Sequence, residues 1–198
     1  AARLDFPVAS KINLSSTVWY SSTQRPGSSI GDSIITSLYT AGAYRTDTEI
    51  KKKNAVNERV TGATLVINSC SYSTGILLSY TDYDKLIRSS SARAFMGKSG
   101  FSYSIFSTYF SDNVTLCGEL SLDNNYNTGL KLGSAYRSEK FDFALHVRSF
   151  DENYRAPFGS IFGEFSYPAN EIGIYTGFAW KKNSFFNMFT YFDYFRSY

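Results

Sequence analysis

The chain has 198 residues with 20 Lys and Arg against 17 Asp and Glu, a net charge of +3, so its charge balance points to neither a nucleic-acid surface nor an acidic substrate. No uninterrupted apolar run approaches the ~20 residues of a membrane-spanning helix, although 43% of the residues are hydrophobic. Two cysteines, Cys70 and Cys117, are too few for a disulfide framework and are expected as free thiols, and with one histidine, His146, they give no metal-ligand spacing, so no metal or cofactor is expected.

In chain order, Arg3 to Val8 reads as the end of an incoming strand. Lys11 to Tyr20 alternates, with Ile12, Leu14, Val18 and Tyr20 against Lys11, Asn13 and Thr17. Ser21 to Gly31 is expected to be a loop around the turn former Arg25-Pro26-Gly27-Ser28, followed by a strand over Ser33 to Ala43. One short helix is expected near residues 46–54. Thr46 and Glu49 have the spacing of a capping box, while Asp47 and Glu49 at the start and Lys51, Lys52 and Lys53 at the end complement the helix dipole. It should run two or three turns and, being polar all round, sit at a barrel mouth or fold inward.

Strands follow at Asn57 to Ser69, at Ile76 to Tyr83 after a turn over Ser71 to Gly75, and at Phe101 to Phe110 after a long loop from Asp84 to Gly100. From Val114 to Phe150 the alternation is strongest. Val114, Leu116, Leu120 and Leu122 oppose Thr115, Cys117, Glu119 and Ser121; Leu130 and Leu132 oppose Lys131; Phe141, Phe143, Leu145 and Val147 oppose Asp142, Ala144, His146 and Arg148. A period of two places one set on each face of a sheet, and tight polar turns between the runs make an antiparallel meander. Asp151 to Gly159 reads as a loop, Ser160 to Tyr167, Glu171 to Trp180 and Phe185 to Phe195 as strands. The total is roughly eleven strands of about ten residues, the length a tilted barrel strand needs to cross the hydrocarbon.

Such a meander suits a soluble sandwich or a membrane barrel. The 16 Tyr and 17 Phe favour the barrel, since amphipathic rings at strand ends suit a membrane interface. The expected fold is therefore all-β, an antiparallel up-and-down transmembrane β-barrel or part of one, in a single domain over 1–198. Glu119, Lys131, Arg137, Asp142, His146, Arg148 and Glu171 are its expected lumen-lining residues.

Several segments resemble a known group. Tyr44-Arg45-Thr46-Asp47-Thr48-Glu49-Ile50, then Glu58 and Gly62, then Tyr80-Thr81-Asp82-Tyr83-Asp84-Lys85 form one set. Asn170-Glu171-Ile172-Gly173-Ile174-Tyr175-Thr176-Gly177 and Tyr191-Phe192-Asp193-Tyr194-Phe195-Arg196 form the other. Together they are similar to the large outer-membrane β-barrel proteins of Gram-negative bacteria that carry a helix-hairpin-helix module before the barrel. The resemblance covers most of the chain from about Thr40 onward. The module is absent here, and those barrels continue further, so the chain is read as a piece of a longer protein. The resemblance implies an outer-membrane location, contact with lipid, and other chains or segments that complete a membrane complex, with nucleic acid not expected as a partner of this segment. It implies no catalytic residue, and the expected role is non-enzymatic: a pore, a transporter or a surface receptor.

Two other functions fit less of the sequence. A soluble secreted β-sandwich would bind carbohydrate through Trp19 and Trp180 in a groove. An outer-membrane hydrolase would rely on His146 with Asp142, which sit about 13 Å apart along one strand face, too far to touch. Calcium at Asp82 and Asp84 or at Asp123-Asn124-Asn125 lacks the Gly and distal Glu of a calcium loop. Glu171 is expected either as a free lumen carboxylate or as the partner of an Arg on a neighbouring strand.

Overall fold

The computed structural model describes residues 1–39, 44–158, 167–181 and 186–198. In chain order its strands are β1 (Ala2–Ala9), β2 (Ile12–Arg25), β3 (Gly27–Ile30), β4 (Ile34–Leu38), β5 (Val56–Ser69), β6 (Tyr72–Ile87), β7 (Gly97–Phe110), β8 (Val114–Asp123), β9 (Thr128–Arg137), β10 (Phe141–Phe150), β11 (Glu171–Lys181) and β12 (Asn187–Arg196), with α1 (Asp47–Lys51) between β4 and β5. All belong to one sheet. Its main path, β1-β2-β5-β6-β7-β8-β9-β10-β11-β12, is antiparallel and up-and-down throughout. The β3–β4 hairpin leaves this path and adds to it through a short parallel pairing of Ile34 and Ile35 with Leu86 and Ile87. β1 and β12 stand at the two ends of the order and are not paired with each other among the described residues.

The alternation that predicts the meander also sets its register. Asp142, Ala144, His146 and Arg148 on β10 face Arg137, Ala135, Gly133 and Lys131 on β9, and Ala179, Gly177, Tyr175 and Gly173 on β11. One face thus gathers the polar and small residues, and the other gathers Phe141, Phe143, Leu145 and Val147. The sheet also curls. Arg93, between β6 and β7, donates through Nη1 to the carbonyl of Ala169 (2.8 Å), just before β11, and through Nη2 to Ser197 Oγ (3.0 Å), just past β12. In a flat sheet β7 and β11 would lie ~19 Å apart at the usual strand spacing. The polar face lies inside this curl.

Several strands are longer than composition suggests. Ser21 to Gly31 is not a loop: β2 continues through Ser-Ser-Thr-Gln to Arg25 and β3 begins at Gly27. The reversal before β6 occupies 70–71 alone, so Tyr72 to Gly75 is strand, and the loop expected over Asp84 to Gly100 shrinks to 88–96. At the end of β2 and the start of β6, Ser, Thr and Gly imitate a turn, but hydroxyl side chains serve equally well in a sheet. The strand expected over Ser33 to Ala43 is found as β4, with 40–43 outside the described residues. Of the strand expected over Ser160 to Tyr167, only Tyr167 is described, and of the turn expected over Lys181 to Ser184 only Lys181, the last residue of β11; the rest lie outside the described residues.

The helix has the expected cap but is shorter, five residues. Thr46 Oγ1 accepts from the Glu49 N–H, and the Glu49 carboxylate accepts from the N–H groups of Arg45 and Thr46. Those two backbone donors hold the Glu49 carboxyl below the usual carboxylate range. Asn54, in the left-handed conformation (φ 56°), turns the chain toward β5. Lys52 and Lys53 lie over the rings of Tyr39 and Tyr44 at 5.7 and 5.6 Å.

The two ends of the sheet differ. One end has the tight reversals 10–11, 70–71, 111–113 and 138–140. The other has the connections 26–55, 88–96, 124–127 and 151–170. The buried apolar cluster of Ile35, Val56, Tyr83 and Ile87 sits at this second end, where β4 folds against β6.

Candidate functional site

The outer face carries no charged chemistry over most of its height. Phe141 and Phe143 are each 42% exposed, and Leu65, Ile76, Leu78, Ile105, Leu116, Leu120, Leu132 and Ile174 are exposed with them. Rings gather near the two ends of this face. Tyr80 and Phe101 (5.2 Å between centroids) and Phe101 and Tyr103 (5.3 Å) lie toward the long-loop end. Tyr136, Phe141 and Phe178 lie toward the short-turn end, at 5.7 and 6.4 Å. Aliphatic residues predominate in the band between, with the hydroxyls of Thr74 and Ser107 bonded to each other (2.7 Å) among them.

The buried ion pairs lie on the inner face, whereas the exposed pair of Arg59 and Asp82 (2.5 Å) lies on the outer face toward its long-loop end. Arg148 is fully buried, and its register partner is Gly173, whose missing side chain lets the guanidinium cross β11. Its Nε donates to Glu171 Oε1 (2.5 Å), also fully buried, and its Nη2 donates to Asp193 Oδ1 on β12 (3.1 Å). Two carboxylates and one guanidinium thus tie three consecutive strands together. Glu171 is therefore an ion-pair partner, the second of the two expectations for it. Lys131 Nζ meets Glu119 Oε2 (2.6 Å) across β8 and β9, and Lys181 Nζ meets Asp142 Oδ2 (2.7 Å) across β10 and β11.

A second cluster lies across β2, β5 and β6. Glu58, 5% exposed, accepts from Tyr83 OH (3.2 Å) and from Thr23 Oγ1 (3.4 Å), and lies 3.5 Å from Arg25 Nε. Above it the segment after β10 folds onto the inner face. The Tyr154 hydroxyl donates to Ser121 Oγ (2.9 Å), and Ser121 donates to the Gly129 carbonyl (3.1 Å). Burial pushes the Tyr154 phenol above its usual range. Beneath this segment is a recess of about 610 Å³ whose walls come from β2, β5, β6, β7 and β8.

All seven residues singled out in the sequence, Glu119, Lys131, Arg137, Asp142, His146, Arg148 and Glu171, fall on this inner face by register. The structure joins Glu119 to Lys131 and Glu171 to Arg148. Asp142 pairs with Lys181 rather than His146, whose register partners are Gly133 and Tyr175. Sequence reading missed Asp193, because its neighbours on both faces are aromatic and hide the alternation. It also missed the pairing of Arg25 with Glu58, because the end of β2 imitates a loop. The Asp123 carboxylate accepts from the N–H groups of Asn125, Asn127 and Arg155 and from the Asn127 side-chain amide, which is turn chemistry. No cluster of three metal-ligating side chains occurs among the described residues. Cys70 and Cys117 are free thiols, as expected. Trp19 and Trp180 lie on opposite faces and share no groove.

No protein-family model, curated protein or solved structure matches the chain.

Proposed function

We propose that this chain is the wall of an outer-membrane β-barrel in a Gram-negative bacterium, akin to the barrels that follow a helix-hairpin-helix module, and that it serves as a pore, transporter or surface receptor without covalent chemistry. One observation carries the reading: a continuous exposed apolar face, aliphatic in its middle and aromatic toward both ends, lies opposite a face that holds the buried ion pairs. Exposed apolar surface of this extent is unfavourable in water and favourable in hydrocarbon. Along β6, the stretch from Tyr72 to Tyr80 spans ~26 Å at the strand rise. Tilted by ~40°, it covers ~20 Å of an apolar band that is ~25 Å tall in such barrels.

Two further features fit. Outer-membrane barrels have short periplasmic turns and longer external loops, and the sheet has this asymmetry, so the end holding α1, the β3–β4 hairpin and the 151–158 segment faces outward. The main path has an even number of strands, so β1 and β12 run antiparallel, and the wall can close edge to edge or through strands of another segment. The charged inner face would then line the lumen, with α1 at the mouth.

The test is behaviour in detergent and lipid. The purified chain should need detergent to stay in solution, insert into phosphatidylcholine vesicles, and migrate faster on SDS gels unheated than boiled. A chain that stays monomeric and folded without detergent, and fails to partition into vesicles, would refute the reading.

A further inference from the structure

Trp19 sits on the inner face of β2 opposite Gly62 of β5, and a Cβ at Gly62 would collide with Cζ2 and Cε2 of the indole. The indole therefore lies over the glycine, and it lines the recess. The same register row continues through Ser79 of β6 and Ser102 of β7, with Ser104 one step along. The hydroxyls of Ser21, Ser79, Ser102 and Ser104 line the recess and make no hydrogen bond to other side chains or backbone among the described residues. Tyr154 and Phe158 of the overlying segment complete the wall.

The charges around the recess cancel locally. Glu58 is matched by Arg25 and Glu119 by Lys131, so the charges of the described lining residues are all paired. An aromatic platform, a floor of unengaged hydroxyls and internally neutralised charge together match one chemistry: a ring with an apolar C–H face and a polar rim of hydroxyls. The volume, about 610 Å³, falls within the ~300–1,000 Å³ of small-molecule sites.

We propose that this recess binds a neutral sugar, with a pyranose ring stacked on Trp19 and its hydroxyls bonded to Ser79, Ser102 and Ser104. The site rests on the inner face of the barrel reading and names a ligand class for it. Tyr154, held by Ser121, closes the site from above.

The experiment uses the full chain in a detergent without a sugar headgroup, such as lauryldimethylamine oxide, titrated with maltose, cellobiose or N,N′-diacetylchitobiose against digalacturonate, and followed by tryptophan fluorescence and calorimetry. At least one neutral disaccharide should bind saturably, with digalacturonate at least tenfold weaker. Trp19→Phe, which keeps a ring over Gly62, should weaken binding several-fold, and the double substitution Ser79→Ala/Ser102→Ala, which leaves the platform intact, at least tenfold. Trp180→Phe, on the outer face, should leave affinity unchanged. Absence of saturable binding by all three neutral sugars, equal binding of digalacturonate, or unchanged affinity in the serine double variant overturns the proposal. Vesicle insertion separates the two readings: a chain that inserts but binds no sugar sinks this site alone, and one that binds sugar without needing detergent sinks the barrel alone.

Discussion

Arg148 and Gly173 face each other across the β10–β11 ladder, and a Cβ placed at Gly173 would come within 2.7 Å of the guanidinium carbon. The glycine is the channel through which the arginine reaches Asp193 on the next strand. Gly173→Ala should push the guanidinium off both carboxylates and cost roughly 1–3 kcal/mol, the range for overpacking a filled site. At Gly118, whose added Cβ would meet a movable Leu132 methyl at 3.1 Å, the same change should cost within about 0.5 kcal/mol. Urea unfolding of the two variants in vesicles makes the comparison, and equal losses would mean that Arg148 does not need the gap.

The three charges of that cluster should not count equally. Arg148→Met leaves Glu171 buried without its cation, which costs about 3–5 kcal/mol in comparable buried pairs. Asp193→Asn keeps an acceptor near the guanidinium at a position whose side chain is 24% exposed, and should cost under about 1 kcal/mol. Unfolding midpoints at neutral pH test the ranking. Should Asp193→Asn prove the more damaging, Glu171 is not the anchor of the triad.

The inner-face residues were legible because strands alternate: once Phe141, Phe143, Leu145 and Val147 define one side of β10, Asp142, His146 and Arg148 must lie on the other. What they touch was not legible. Cross-strand pairing depends on register, and register depends on reversals that Ser- and Gly-rich segments disguise, as at Tyr72 to Gly75 and at the end of β2. The pairing of Arg25 with Glu58 was missed for that reason, and Asp193 because aromatic residues flank it on both faces; Trp19 was singled out only for a sandwich groove with Trp180, since only the fold shows that its ring covers Gly62. Tyr154 lies in a stretch without periodicity, so no sequence pattern placed it against Ser121.

Tyr154 makes the docking of its segment pH-dependent. Its folded pKa is raised by burial, whereas the undocked phenol ionises near the ordinary tyrosine value of 10.0. A group whose pKa is raised in the folded state contributes fully below the unfolded pKa and loses that contribution as pH rises through the folded value. Segment 151–158 should therefore stay protected at pH 7–9 and loosen above about pH 10, seen as faster cleavage by an alkaline-tolerant protease. Tyr154→Phe removes the titrating group and the bond to Ser121, so its cleavage rate should be higher at pH 7 and nearly flat with pH. A parent and variant with the same pH profile would assign the transition to another residue.

The lipid-facing reading predicts a sharp difference between the two faces of the wall. Leu120 on β8 points outward, 44% exposed, with Ile105 and Leu130 as register neighbours. Thr108 on β7 points inward beside Ser73 and Cys117. An arginine in the middle of a lipid-facing strand costs roughly 2–4 kcal/mol, and one facing the lumen is hydrated and costs little. Leu120→Arg should therefore lower the unfolding free energy in phosphatidylcholine vesicles by that amount and reduce the inserted fraction, whereas Thr108→Arg should change either within error. In a soluble protein an arginine at an exposed Leu120 would meet water and be tolerated. A harmless Leu120→Arg would thus place the apolar face against something other than hydrocarbon.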